Sequence, residues 1–205
     1  MGTGIASLVG GAAATFAVGS TVDPAAVDDS GWNTASYPGQ GTGNKSRGVQ
    51  FKVSTLGFES IIVTWEQQNS ATSSRYGRFQ YSIDGTTFVD GPVIIAGTAG
   101  QYGSQSVNLN SVPALNNNSN FAFRIVAEFE DTATGSGTAG YVATSGGTYG
   151  TTGTVRFDFM TISGSPATGN NFPTISPVGN RTIRVNETLA DVPFTVGDTE
   201  TPAGL

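Results

Sequence analysis

The chain reads as an all-β protein: a two-sheet antiparallel β-sandwich of jelly-roll type, with a short partial Ig-like β segment at its C-terminus. Three observations predict this. Glycine supplies 29 of 205 residues and charged residues only 12%, about half the charged share of an average soluble chain, so helix formers are scarce while strand and turn formers abound. Apolar residues recur with period two, and no stretch carries a 3.6-residue period. Gly-, Ser-, Thr- and Asn-rich loops punctuate the alternating runs, as at 38–46 and 132–153. About nine or ten strands, each with one apolar face, require two packed layers. An immunoglobulin topology is the alternative, and the chain is long for it.

Taken in order, Val49, Phe51 and Val53 alternate with Gln50, Lys52 and Ser54. Residues 60–67 place Ile61, Val63 and Trp65 on one face and Ile62, Thr64 and Glu66 on the other. Residues 75–83 do the same with Phe79, Tyr81 and Ile83 against Tyr76, Arg78, Gln80 and Ser82. Asp84-Gly85 then predicts a type I′ hairpin turn into Thr87-Phe88-Val89. Shorter strands are expected at 93–96 and 104–109. The clearest lies at 120–130, with Phe121, Phe123, Ile125, Ala127 and Phe129 opposite Ala122, Arg124, Val126 and Glu128. A closing strand at 154–162 carries Phe157 and Phe159. Residues 165–171 are a spacer without periodicity, dividing a sandwich at 1–164 from a segment at 172–205. That segment has 34 residues, fewer than the ~40 an unstapled core needs, so the chain is expected to stop inside a second domain of a multi-module protein.

With no His and no Cys, Ser-His-Asp and Cys-His catalysis, Cys/His zinc, thiolate clusters and disulfides are all excluded. The net charge of −6 argues against nucleic acid as a partner. The apolar-leaning stretch at 5–18 is broken by Ser7, Gly10, Gly11 and Thr15, so membrane insertion is not expected. Met1-Gly2-Thr3 looks like an initiator on a mature chain. Low charge and Thr/Ser/Gly richness without cysteine fit a secreted or cell-surface bacterial module.

Carboxylate chemistry and oxygen-ligated calcium survive these exclusions. On the face opposite the aromatic set, Glu66, Tyr76, Arg78, Gln80, Arg124 and Glu128, with Thr64, Gln68, Arg156 and Asp158 beside them, supply the amide, guanidinium and carboxylate groups that sugar hydroxyls need. The plainer reading is a solvated face whose cross-strand Arg–Glu pairs contribute about 0.2–1 kcal/mol each. Trp32, Tyr37, Tyr102, Tyr141 and Tyr149 lie in Gly-rich segments. Tyr141 and Tyr149 are the candidates for exposed sugar-stacking platforms, while Trp32 and Tyr37 are expected to close the end of the sandwich. Asp23, Asp28 and Asp29, near Asn33, and Asp158 could hold a structural calcium, with Asp28, Asp29 and Asp158 the chosen ligands. Turn and cap chemistry is the alternative for them. Glu59, Glu66, Glu128 and Glu130 could supply a glycosidase pair, but neighbouring arginines would keep both members ionised, so no enzyme is expected.

Two resemblances add to this. The frame "PTIS…I…NETL…VPFTVGD.ET" in residues 172–205 resembles the opening of tandem Ig-like or cadherin-like repeats of large bacterial surface proteins. The segments "GWNTASYPGQGTGNKSRGVQF", "RFQYSIDGTTFVDG", "NNNSNFAFRIVAEFE" and "GTVRFDFMTISG" resemble an N-terminal accessory module of large secreted bacterial multidomain proteins. That resemblance implies a β-sandwich similar to carbohydrate-binding jelly rolls, in an extracellular setting, and carries over no catalytic residue. The expected function is non-catalytic binding of a polysaccharide or extracellular matrix polymer. The alternative is a structural or adhesive module that assembles with neighbouring protein subunits.

Overall fold

Strict alternation along residues 61–69 buries every odd side chain and leaves every even one half-exposed. That pattern is what a strand between a packed interior and solvent requires. The computed structural model describes residues 4–22, 29–167, 174–180, 182, 185–186, 188 and 191–197. The chain divides into two units, Met1–Pro166 and Ala167–Leu205. The first holds β1 (Ile5–Val9), β2 (Ala13–Val18), β3 (Ser30–Ala35), β4 (Gly48–Lys52), β5 (Phe58–Asn69), β6 (Tyr76–Ser82), β7 (Val89–Ile95), β8 (Tyr102–Asn108), β9 (Ala122–Ala127) and β10 (Val155–Pro166). A 3-10 turn at Pro113–Leu115 and a one-turn helix α1 at Glu130–Thr134 interrupt the strands.

Sheet A runs β1-β4-β9-β6-β7 and sheet B runs β2-β3-β10-β5-β8. The antiparallel pairs β3/β10, β4/β9, β5/β8 and β6/β7 nest inside one another. One long hairpin has thus been rolled so that successive pairs alternate between sheets, which is the jelly roll. β1 and β2 extend the two sheets at one edge.

The aromatic residues form a spine between the layers. Trp65 of sheet B stacks on Phe79 at 6.2 Å, Phe79 on Phe123 at 5.3 Å, Phe123 on Phe51 at 5.0 Å, and Trp32 meets Phe51 edge-on at 6.1 Å. These offset and edge contacts are the arrangements ring quadrupoles favour. The expected odd-numbered core is present at Ile61, Val63, Trp65, Phe79, Phe121, Phe123, Ile125 and Phe129. Ile83 departs from it at 48% exposure. β6 ends at Ser82, whose hydroxyl donates to Asp84 Oδ1 at 2.8 Å, so the chain has turned before Ile83 could face inward.

Two expectations for the strands change. No two-residue hairpin forms at Asp84-Gly85. Gly85 has positive φ but Asp84 does not, and Asp84 Oδ1 instead accepts the Thr86 and Thr87 amides, each at 2.7 Å, rounding a longer loop before β7. The two short strands expected at 87–89 and 93–96 are one strand, β7. In the second unit, β11 (Thr174–Ile175) pairs antiparallel with β12 (Val196–Gly197), and the Ig-like expectation falls in part on residues outside those described. Among the described residues no helix is long and apolar enough to cross a membrane.

Candidate functional site

The expected groove residues divide between the two sides of the sandwich, because β5 belongs to sheet B while β6 and β9 belong to sheet A. Glu66 therefore cannot line one groove with Arg78, Gln80 and Arg124. On the outer face of sheet A, Ser7, Gln50, Arg124, Gln80 and Asp90 form one register row across all five strands. Arg124 Nε donates to Gln50 Oε1 at 2.7 Å, and its guanidinium lies 3.6 Å from the Phe88 ring centre. Gln80 Nε2 donates to Asp90 Oδ1 at 2.9 Å. Burial works against the Asp90 charge, but hydrogen bonds from Lys45 and Gln80 outweigh it and hold that carboxyl below its usual pKa.

Arg78 and Glu128 are committed to the fold. Arg78 donates to Gly91 O (2.8 Å), to Thr132 O (3.1 Å) and to Glu128 Oε1 (2.6 Å). Glu128 is entirely buried, and Lys45, also paired with Asp90, lies 3.3 Å from the same oxygen. Glu128 thus stands beneath the face expected to expose it. The chain has left β9 after Ala127, and two cations make burial of a carboxylate tolerable. Tyr76 is half-buried, with the Arg75 guanidinium 5.9 Å above its ring.

Sheet B presents the second row: Thr15, Asn33, Arg156, Gln68 and Tyr102. Tyr102 on β8 lies three strands from β3. In a flat sheet three spacings of about 4.8 Å exceed the reach of a tyrosine. Yet its hydroxyl donates to Val18 O at 3.2 Å, and a Cβ on Gly31 of β3 would collide with both Tyr102 Oη and Arg156 Cγ. The sheet therefore curls at this end, making its outer face concave, and glycine at 31 permits the approach. The concavity is a cleft of about 550 Å³ lined by Ser20, Glu66, Gln68, Tyr102, Ser104 and Arg156, among others.

The fold positions each wall of that cleft. Arg156 Nη1 donates to Val18 O (2.7 Å), and Gln68 Nε2 to Gly100 O (3.1 Å). Glu66 accepts from the hydroxyls of Ser104 (2.7 Å) and Ser20 (3.0 Å). Among the described residues no protein hydrogen bond engages Gln68 Oε1, which is available to a ligand, while the Arg156 guanidinium also hydrogen-bonds the Tyr102 hydroxyl. Burial raises the Tyr102 hydroxyl above its ordinary pKa, keeping it a neutral donor.

Tyr141 and Tyr149 are not platforms. Tyr141 is buried, edge-on to Phe129 at 4.7 Å and stacked on Tyr149 at 4.6 Å, and its hydroxyl donates to Gly43 O at 2.9 Å. Tyr149 donates to Pro38 O at 2.8 Å. Their Gly-rich segments fold back over the end of the sandwich, and burial pushes the Tyr149 hydroxyl up to about 12. Tyr37 is buried beside Thr34 at 2.6 Å, closing the same core as expected.

Of the calcium ligands, Asp28 lies outside the described residues, as does Asp23. Asp29 and Asp158 do converge, on backbone amides: Gly19 N–H donates to Asp29 Oδ1 (3.1 Å) and Ser20 N–H to Asp158 Oδ2 (2.7 Å). Among the described residues no group of three or more acidic side chains is placed to hold a metal ion. Glu66 and Glu128 face opposite sheets and cannot be the closely spaced pair of a glycosidase. Asp158 stands opposite Glu66 in register, but its two oxygens hold the Ser20 and Phe159 amides.

Phe88, Lys45 and Asp90 join these sites without having been read from the alternation, and Gln50, read as polar-face, had not been named as a site residue. Phe88 and Lys45 lie in loops, where period-two parity assigns no face.

No protein-family model matches the chain, and no curated protein matches it in sequence. In structure it is similar to the CBM22-1 xylan-binding domain of Paenibacillus barcinonensis Xyn10C, at 10% identity and a TM-score of 0.45, over 80% of this chain and 87% of that one. The CBM22-2 xylan-binding domain of the same protein gives 10% identity and a TM-score of 0.46, over 78% and 91%. The K1 cleaved adhesin domain of Lys-gingipain from Porphyromonas gingivalis W83 gives 12% identity and a TM-score of 0.39, over 80% and 99%.

Proposed function

We propose that the sandwich is a non-catalytic module that binds a polysaccharide in the cleft on sheet B. The observation that carries this reading is the curl that gathers an aromatic ring, a guanidinium, an amide and a carboxylate around about 550 Å³, a volume typical of small-ligand sites. Sugar rings offer paired hydroxyl donors and acceptors on their edges and apolar C–H faces. The Arg156 guanidinium and Gln68 Oε1 line the cleft as donor and acceptor, and Tyr102 supplies apolar surface. Each is fixed by its own protein hydrogen bonds, so little side-chain entropy remains to be lost on binding.

The test is affinity electrophoresis in gels containing xylan, mannan, mixed-linkage glucan or hydroxyethylcellulose. At least one neutral polymer retards the protein, and Tyr102→Ala lowers that affinity by about tenfold while Tm is kept. Migration unchanged in every gel would overturn the reading. A second reading, assembly with protein neighbours, draws on edge strand β2, where Phe16 and Val18 are 73% and 67% exposed. It predicts concentration-dependent sedimentation that Phe16→Ser abolishes.

A further inference from the structure

The sandwich has a second polar surface, and its charges do not balance. On the outer face of sheet A, Lys45 and Arg78 are matched by Asp90 and Glu128. Arg124 is not: among the described residues no carboxylate lies within ion-pair distance of it. Asp90, at the end of its own row, is claimed by Lys45 and Gln80. Exposed Lys52, one row along β4 on the same face, adds a second cation. A surplus of positive charge here stands against a chain whose net charge is −6.

Arg124 is also held in place. Gln50 takes its Nε and Phe88 stacks on the guanidinium plane at 3.6 Å. Stacking engages the flat faces of a guanidinium and leaves its in-plane N–H donors free. Its two terminal amino groups have no acceptor among the described residues. The half-buried cation has lost part of its hydration, and burial lowers its pKa, so an anion arriving in plane restores what the fold has removed. The planar fork matches a carboxylate with two parallel N–H···O bonds.

We infer that Arg124, seated between Gln50 and Phe88, is a carboxylate subsite for a uronic-acid residue of an acidic polysaccharide, on the opposite side of the sandwich from the neutral-sugar cleft. It stands independently of that cleft. A module with both sites would grip an acidic and a neutral chain at once.

The experiment uses the full chain in gels containing polygalacturonate, with its methyl-esterified form and dextran sulfate as companion arms. Polygalacturonate retards the protein and the methyl ester does not. Arg124→Gln weakens the polygalacturonate affinity by about tenfold, and Arg124→Lys, which keeps charge without the fork, falls between. Tm of both variants reports folding. Tyr102→Ala leaves the polygalacturonate response unchanged, which separates failure of this site from failure of the cleft. Retardation by polygalacturonate that survives Arg124→Gln in a folded protein would overturn the inference. So would equal retardation by the methyl ester, or a loss with Arg124→Gln that is as large in dextran sulfate, since that reports charge rather than carboxylate geometry.

Discussion

Glu128 has no exposed surface, yet it carries a charge that Arg78 and Lys45 share. Its alternation with Phe129 marks it as polar-face in sequence, and its chemistry is that of a keystone joining β6, the loop before β4 and the end of β9. Glu128→Gln leaves two cations facing each other without their anion. Removing one member of a buried ion group costs about 3 kcal/mol, so urea unfolding shows that loss and Tm falls by about 6–12 °C. A change within 1 °C would mean that the carboxylate is dispensable. Parity identified Arg124 and Gln80 as outward-facing, as they are. It could not distinguish Arg78, whose terminal amino groups are engaged by Gly91, Thr132 and Glu128, from Arg124, whose terminal amino groups are not. That difference depends on which loops cover which end of a strand.

At the scale of elements, β4 and β9 come unusually close. A Cβ on Gly48 would collide with the Ile125 carbonyl oxygen and sit 2.9 Å from Val126 Cα. Backbone atoms cannot swing aside as a flexible side chain would, so Gly48→Ala forces the two strands apart. The expected cost is about 3 kcal/mol, read as a lowered urea midpoint. Unchanged stability would show that the β4/β9 ladder tolerates displacement. The strands at 48–52 and 58–69 were legible because each has one face in the core and one at least partly in solvent. The strand at 122–127 was legible because its core face carries Phe123 and Ile125 in strict alternation, although Ala122 and Val126 on its other face are buried as well. β1 and β2 were not: at the sheet edges both their faces are largely exposed, and hydrophobic alternation records only differences in burial.

For the whole molecule, three tyrosines close one end of the core. Burial raises the hydroxyl pKa of Tyr37 and Tyr141, and that of Tyr149 to about 12. Each folded pKa exceeds the unfolded value near 10, so the folded state holds more protons between these values. Stability is therefore full below about pH 10 and falls as pH rises toward 12. Tm measured across this range drops, and Tyr149→Phe makes the drop shallower. An equal slope in the variant would remove Tyr149 from the account. The division at Pro166 makes a separate prediction. A chain ending there keeps the Tm of the full chain, and a fall of more than a few degrees would show that the C-terminal unit supports the sandwich.

Period-two burial and turn-rich composition are local properties, so the sequence alone determined the class of fold, the positions of the long strands though not their ends, and most of the aromatic core. The absence of His and Cys likewise excluded whole chemistries without reference to shape. Which strands share a sheet is a non-local property, decided only when the rolled hairpin closes. That pairing separated Glu66 from Arg124, curled sheet B until Tyr102 reached β3, and folded Tyr141 and Tyr149 into the core. Side-chain direction is written along the chain; its neighbours across the sheets are set by packing.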